Sequence, residues 1–111
     1  MNYSGNDFYC DVALKGTMAL KIEYESERVL AFHHTKPSWP VHIVVVPKKH
    51  ISSLAALQEE DVPLLLEIVE VLKALSSQME REYGAARILT NVGKYQDSKH
   101  LHWHINSGEP L

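Results

Sequence analysis

The stretch Lys99–Ile105, KHLHWHI, lies near the C-terminus and decides the fold. Three histidines alternate in it with three apolar residues. Because side chains of a β-strand point to opposite faces in turn, the alternation predicts a strand with all three imidazoles on one face. Neighbouring imidazoles would lie about 6.6–7 Å apart on that face, and the apolar residues would point into a core.

Residue chemistry allows three interpretations of this row of histidines. The first is the solvent-facing side of an amphipathic strand, the usual meaning of alternation. It is disfavoured because histidine is a mediocre strand former and solubility does not require it. The second is a zinc or iron site, since histidines one residue apart on a strand can present two nitrogens to a metal. The third is catalysis on phosphorus by a neutral imidazole acting as nucleophile.

The composition limits the classes of protein to consider. The 111 residues suffice for one domain with a single two-layer core. A formal net charge of −3 without a basic block gives no indication of binding to nucleic acid or to a membrane. No apolar run approaches the roughly 20 residues of a membrane span, and no secretory signal opens the chain. Cys10 is the only cysteine, so no internal disulfide is possible and a cytoplasmic location is predicted.

Alternation and β-branched runs predict four further strands. They are Met18–Glu25, Arg28–His33, Val41–Val46 and Arg87–Val92. The first two are predicted to form a hairpin, and the third, which Pro47 ends, a central strand buried on both faces. The loop from His33 to Pro40 holds two prolines, two histidines and Trp39. Its prolines make it stiff enough to form a wall of a ligand site.

The segment Glu59–Tyr83 is predicted to be the one long helix, preceded by a short helical turn. Its apolar positions recur with helical spacing at Leu65, Ile68, Val69, Leu72, Leu75 and Met79. Pro63 is tolerated only near the first turn, and Gly84 predicts the end of the helix. Further apolar residues widen this stripe beyond what packing on one sheet requires, which predicts a partner subunit.

The loop from Asn91 to Ser98 lies directly before the histidine stretch. It is rich in amides, hydroxyls and glycine, whose backbone and side-chain donors could bind an anion beside the imidazoles. His50, by contrast, is interpreted as structural or solvated.

With these segments in order, the chain resembles the histidine triad (HIT) proteins, and most of all their Hint branch. Residues 100–106, HLHWHIN, fit the signature of three histidines alternating with apolar residues and followed by two apolar residues, except at Asn106. Residues 41–51, VHIVVVPKKHI, fit the family's His-aliphatic-Pro-Lys-x-His segment. Residues 28–32 resemble the strand before the family's nucleoside loop. The pair Asn91 and Gly93 resembles the loop before the triad. The resemblance runs from about Phe8 to Ser107.

The resemblance implies a single α+β domain over residues 1–111, with residues 1–7 loosely ordered. A five-stranded antiparallel meander would carry one long helix and a short helix, and it would dimerise into a ten-stranded sheet. The implied activity is that of a nucleotide hydrolase or transferase. It would cleave at the α-phosphorus of a nucleoside phosphoramidate or related conjugate, such as a dinucleoside polyphosphate, through a covalent nucleotidyl-histidine. The bound moiety would be a purine nucleoside monophosphate, and neither a cofactor nor a metal is implied.

The resemblance also implies roles for single residues. His102 would be the nucleophile, and His42, His100 and His104 would complete the catalytic cluster. The phosphate would be held by Asn91, Gly93, Gln96, Asp97 and Ser98. The nucleoside would be held by His33, His34 and Thr35.

Two segments depart from the family pattern. His34 stands where relatives often have an acidic residue that accepts hydrogen bonds from the ribose hydroxyls. Asp7 and Cys10 stand where many bacterial relatives carry a Cys-x-x-Cys pair for structural zinc, so zinc is not expected there.

Two other classes of function stay open at this point. A histidine-rich metal-binding domain or metalloenzyme would use His100 and His102, with His42 as a further ligand. A dimer that binds nucleotides without catalysis would keep the site but not the chemistry. An adduct on His102 that forms in the presence of a chelator would distinguish the phosphorus chemistry from both.

Overall fold

The computed structural model describes residues 20–111. Its strands are β1 (Ile22–Glu25), β2 (Val29–His33), β3 (Val41–Pro47), β4 (Arg87–Thr90) and β5 (Trp103–Ser107), and its long helix is α1 (Val62–Tyr83). Single 3₁₀ turns cover Leu54–Ala56, Glu59–Asp61 and Gly93–Tyr95. The expectations for residues 1–7, for Asp7 and Cys10, and for a first strand starting at Met18 lie outside the described residues.

The five strands form one antiparallel sheet in the order β1-β2-β3-β5-β4. This confirms the α+β fold with a five-stranded antiparallel sheet and one long helix. The expected meander is wrong, because β5 lies between β3 and β4. The connection through α1 leaves a gap beside β3, and the last strand of the chain fills it. The two segments that carry histidines, β3 and β5, are therefore hydrogen-bonded neighbours.

The helix covers one face of the sheet and leaves the histidines on the other. The core beneath α1 includes Ile43, Val45, Trp103 and Ile105. Because side chains alternate along a strand, His42 and His104 point to the opposite face. A smaller apolar cluster, formed by Leu30, Phe32, Val44 and Val46, shares that second face.

The helix begins later than predicted and packs with a different stripe. Glu59–Asp61 forms a 3₁₀ turn, and α1 starts at Val62 with Pro63 in its first turn. Its buried residues are Leu64, Ile68, Val71, Leu72, Leu75 and Met79. The assignment of Val69 to the buried stripe is wrong, since this residue is 40% exposed. One position beyond Ile68, the helix has turned about 100° away from the sheet.

The end of α1 lies where the sequence predicts it. Gly84 follows Tyr83 with φ 88°, a left-handed conformation that suits glycine, and its N–H donates to the Glu80 carbonyl at 2.8 Å. Neither this helix nor any other within residues 20–111 has the length and apolar character needed to cross a bilayer.

The histidine strand is shorter than predicted. β5 begins at Trp103, which lies opposite Thr90 at the end of β4. Before this point the chain bends away, and the N–H of Leu101 donates to the Ile51 carbonyl at 2.6 Å instead of joining a strand ladder. The prediction that all three histidines share one face of a strand is therefore wrong, because only His104 lies within β5.

Candidate active site

Three buried imidazoles meet on the sheet face opposite α1. His42 comes from β3, His104 from β5, and His102 from the residue directly before β5. The ring centroids of His42 and His104 are 4.9 Å apart, and those of His102 and His104 are also 4.9 Å apart. The structure thus brings three of the four predicted catalytic side chains into one cluster.

Hydrogen bonds decide where His42 and His104 carry their protons. The backbone N–H of Ser38 donates to Nδ1 of His42 at 3.1 Å, so this nitrogen carries a lone pair and the ring proton lies on Nε2. That Nε2–H donates to Nδ1 of His104 at 2.7 Å. The neutral His104 ring must then hold its own proton on Nε2.

His102 has the opposite tautomer. Its Nδ1–H donates to the backbone carbonyl of His100 at 2.6 Å, so Nε2 carries the lone pair. The carbonyl of His102 itself accepts the hydroxyl of Thr90 at 2.6 Å. The first hydrogen bond orients the ring, and the second holds the backbone of His102. The cluster therefore contains one imidazole with its lone pair on Nε2 beside two with protons there.

His100 contributes its backbone, and its ring is directed elsewhere. The side chain is fully buried, and its Nε2–H donates to the Pro47 carbonyl at 2.7 Å. The ring lies edge-on to His50, with centroids 5.2 Å apart. The bend before β5 causes this placement, because it removes residue 100 from the alternation that His102 and His104 follow.

His34 extends the cluster from the loop after β2. Its ring stacks on His42 at 4.4 Å, with an interplanar angle of 24°, and its centroid lies 6.0 Å from that of His104. The backbone N–H of Lys36 donates to Nδ1 of His34 at 2.9 Å, so the proton of this ring also lies on Nε2.

Burial keeps the imidazoles of His34, His42 and His104 uncharged at neutral pH. Burial, reinforced by the neighbouring histidines, lowers the pKa of His42 to about 4 and that of His104 to about 3. Burial also lowers the pKa of His34. The Asp97 carboxylate opposes the shift by raising the pKa of His34 and His104, and it does not overcome the desolvation.

The arrangement fits an anion better than a metal. Ligand atoms of His34, His42 and His104 lie within 4.8 Å of one another, which is close enough to consider a metal site. A metal on Nε2 of a neutral imidazole would move the proton to Nδ1. In His34 and His42 that proton would face the N–H groups of Lys36 and Ser38, which are donors as well. The cluster instead presents Nε2–H donors.

Two of the predicted nucleoside residues lie away from the cluster. His33 is on the helix side of the sheet, where Nε2 lies 2.5 Å from a carboxylate oxygen of Glu23. Thr35 is exposed in the loop. Of the three residues 33–35, only His34 lies against His42 and His104, because one step along the chain changes the face of the sheet.

Hydrogen bonds within the loop from Asn91 to Ser98 use some of the groups that were predicted to bind phosphate. Gly93 adopts φ 79° and donates its N–H to Oε1 of Gln96 at 3.0 Å. Nε2 of Gln96 donates to the carbonyls of Ser52 and Ser98, so the Gln96 amide stabilises the loop. Ser98 is buried, Asn91 is half-buried and Asp97 is exposed.

Sequence reasoning missed the groups that orient the histidines. The N–H of Ser38, the carbonyls of His100 and Pro47, and the Thr90 hydroxyl all contact an imidazole or its backbone. Three of these four are backbone groups, and backbone atoms leave no signal in the residue types.

Comparison with known proteins agrees with this geometry. The family model described as "Scavenger mRNA decapping enzyme C-term binding" matches residues 6–109. A histidine triad protein from Clostridium difficile is 31% identical, with a TM-score of 0.79 over 99% of this chain and 96% of that one. A HIT family hydrolase from Legionella pneumophila is 27% identical, with a TM-score of 0.81 over 94% of each chain.

A further relative is a HIT-like protein from Buchnera aphidicola. It is 29% identical over 100 residues, which cover 88% of this chain and 89% of the relative. The similarity thus extends over nearly the whole sequence, including the segments that build the histidine cluster. The chain belongs to the histidine triad (HIT) superfamily.

Proposed function

We propose that the protein is a nucleotide hydrolase or transferase that acts at the α-phosphorus of a nucleoside phosphoramidate or related nucleotide conjugate. The nucleophile is Nε2 of His102. The observation that carries this proposal is the 2.6 Å hydrogen bond from Nδ1–H of His102 to the His100 carbonyl. This bond leaves the lone pair on Nε2, beside imidazoles that present N–H donors.

The proposed reaction has two steps. In the first, Nε2 of His102 forms a bond to phosphorus while the bond from phosphorus to the leaving group breaks, and the leaving group departs with one proton. That proton is supplied from solvent, and the Nε2–H of His104 is positioned to donate a hydrogen bond to the leaving atom. In the second step water attacks the nucleotidyl-histidine, which releases the nucleoside monophosphate, frees His102 and returns one proton.

The substrate is proposed to be bound by both loops beside the cluster. Nε2–H of His34 is a donor for a phosphoryl oxygen, and the half-buried Asn91 with the backbone around Gly93 and Ser98 would add further donors. The exposed Asp97 carboxylate would repel a phosphate, so any contact there would be made by its backbone. Thr35 would contact a purine nucleoside. Glu23 holds His33 on the other face, where it has no role in this proposal.

A covalent adduct tests the proposal directly. We expect wild-type protein mixed with an adenosine 5′-phosphoramidate and quenched early to gain the mass of an adenylyl group on His102, with or without chelator. His102→Ala should abolish turnover and the adduct while retaining nucleotide binding. His33→Gln, which removes a histidine from the opposite face, is the matched control and should keep both.

The competing functions predict different results. Activity that disappears with chelator and returns with zinc, with no adduct, would establish a metalloenzyme. Binding of the nucleotide without turnover or adduct would establish a non-catalytic nucleotide-binding protein.

We further propose a homodimer in the cytoplasm. The dimer is supported by apolar side chains that remain exposed on α1 and on the edge strand β4, which are Val62, Leu66, Val69 and Ile88. A reducing compartment is supported by the single cysteine.

A further inference from the structure

Arg87, the first residue of β4, keeps a positive charge beside the candidate site. Its Nη1 donates to Oδ1 of Asn106 at 2.6 Å, and its Nη2 donates to the carbonyl of Gly108. Both acceptors are uncharged. Within residues 20–111, none of the ion pairs includes Arg87, so its charge is oriented but not neutralised.

Trp39 connects this charge to the catalytic histidines. Cζ of Arg87 lies 5.9 Å from the centroid of the Trp39 ring. The same ring lies edge-on to His42, with centroids 5.1 Å apart. Arg87 is exposed and Trp39 half-buried, so a bound molecule can reach both. The three side chains form a continuous surface from a cation to an imidazole.

Asn106 is costly for the fold, which points to a role in holding Arg87. It is fully buried between its strand partners His42 on β3 and Arg87 on β4. Among residues 20–111 its Nδ2 finds no hydrogen-bond partner, and a buried polar group without one is unfavourable. An apolar residue would avoid this cost but would not accept the hydrogen bond of the guanidinium.

The leaving group of the proposed reaction would extend towards the surface formed by Arg87 and Trp39. Along the chain, His102, His104 and Asn106 follow one another at every second residue, and within β5 this spacing corresponds to about 6.6–7 Å. Displacement in line puts the leaving atom on the side of phosphorus opposite Nε2 of His102. A leaving group that passes the donor on His104 therefore extends towards Arg87 and Trp39.

We propose that Arg87 and Trp39 form a subsite that selects leaving groups carrying a carboxylate, such as the amine of an amino acid. The inference rests on the hydrolysis proposed above. A guanidinium has five N–H donors in a planar fork that matches a carboxylate, and its two contacts here leave donors for a ligand. The Trp39 ring would pack against the carbon chain of the leaving group. A carboxylate several bonds from phosphorus suits this position better than a β-phosphate, which is joined to the α-phosphate directly.

The test compares two substrates that differ only in this charge. They are the adenosine 5′-phosphoramidates of β-alanine and of β-alaninamide, and the readout is the ratio of their kcat/KM values. We expect Arg87→Gln to lower the ratio of acid to amide about tenfold, the scale of a charged hydrogen bond, and high salt to lower it in the wild type. Arg81→Gln, which removes the same charge from the far side of the sheet, is the matched control. Because each variant is compared with the wild type, the differing basicity of the two amines cancels.

The possible outcomes distinguish failure of the subsite from failure of the proposed hydrolysis. An unchanged ratio in Arg87→Gln, or an equal loss with both substrates, would overturn the subsite and assign Arg87 a structural role. If wild-type protein turned over neither substrate and formed no adduct, the proposed hydrolysis would fail instead. In that case the subsite is tested by calorimetry with the corresponding pair of carbamates, in which carbon replaces phosphorus. Equal affinities for the carboxylate and amide carbamates would then overturn it.

Discussion

Backbone groups place the protons on the imidazoles of His42 and His102, and His42 in turn places the proton on His104. The N–H of Ser38 assigns the tautomer of His42, and the carbonyl of His100 assigns that of His102. A carboxylate in either position would raise the pKa of its imidazole. Backbone partners orient the rings without adding charge, so burial dominates and the pKa of His42 falls to about 4. The site thereby keeps His42 and His104 as neutral donors beside His102.

We predict the tautomer of each ring. In protein labelled with ¹⁵N, long-range proton–nitrogen correlation spectra near neutral pH should show His102 protonated on Nδ1, and His42 and His104 protonated on Nε2. The reason is the direction of each hydrogen bond within the cluster. His102 protonated on Nε2 would contradict the nucleophile assignment. His42 protonated on Nδ1 would reopen the possibility of a metal site.

The contact between β4 and β5 holds His102 at the end of a strand. His102 precedes β5, so the regular ladder does not include it. The Thr90 hydroxyl, at the last position of β4, donates to the His102 carbonyl at 2.6 Å. A side chain thus continues the connection between the two strands by one residue and holds the backbone of His102 in place.

We predict that Thr90→Val weakens both stability and catalysis. Valine has nearly the same shape but no hydroxyl, so the buried His102 carbonyl loses its donor, at a cost of about 1–3 kcal/mol. Urea unfolding should show this loss, and kcat for the phosphoramidate should fall more than nucleotide affinity does. Thr90→Ser retains the hydroxyl and should recover most of both. If serine and valine behaved alike, the hydrogen bond would have no role.

Across the whole molecule, the sheet separates an apolar layer under α1 from a layer that contains histidines. Burying imidazoles in the second layer makes their protonation unfavourable in the folded state. The unfolded chain has no such restriction, so its histidines titrate near the usual value of about 6.5. Folding is therefore linked to pH through His42 and His104.

We predict that the free energy of unfolding decreases as the pH falls from about 6.5 to about 4. In this range the unfolded state binds protons that folded His42 and His104 do not, at up to about 1.4 kcal/mol per pH unit for each group. The loss stops once the folded rings protonate. Urea unfolding of wild type and His42→Asn should show a flatter dependence in the variant. Carboxylates titrate in the same range, so Thr35→Ala, which changes an exposed loop residue and keeps both histidines, is the control. If stability depended on pH as steeply in His42→Asn as in this control, the linkage would be contradicted.

We predict a homodimer at micromolar concentration. Leu66 on α1 is 62% exposed and Ile88 on β4 is 47% exposed, and association would bury both. Light scattering should give twice the mass of the chain, and Leu66→Lys together with Ile88→Lys should shift the mass to that of a monomer. Leu54→Lys, at another exposed leucine, should leave the dimer intact. A wild-type monomer would refute the prediction.

Local patterns in the sequence determined the elements and most of the residues that meet in the site. The β-branched run of β3, Pro63 in the first turn of α1 and Gly84 after its end each act through near neighbours. Their effect can be read from the residue types alone. The spacing of His102 and His104 likewise placed two imidazoles together, because alternation is a local property of an extended chain.

Only the tertiary structure decided which atoms of these residues face one another. The hydrogen bond between His42 and His104 joins positions 62 residues apart, and it depends on β5 pairing with β3 rather than following β4 at the edge. The same pairing ends where the chain bends, which turns the ring of His100 towards Pro47. Register and bends arise from long-range packing, and no local pattern encodes them. For this reason the sequence predicts most of the histidines that gather but not the tautomer of each ring.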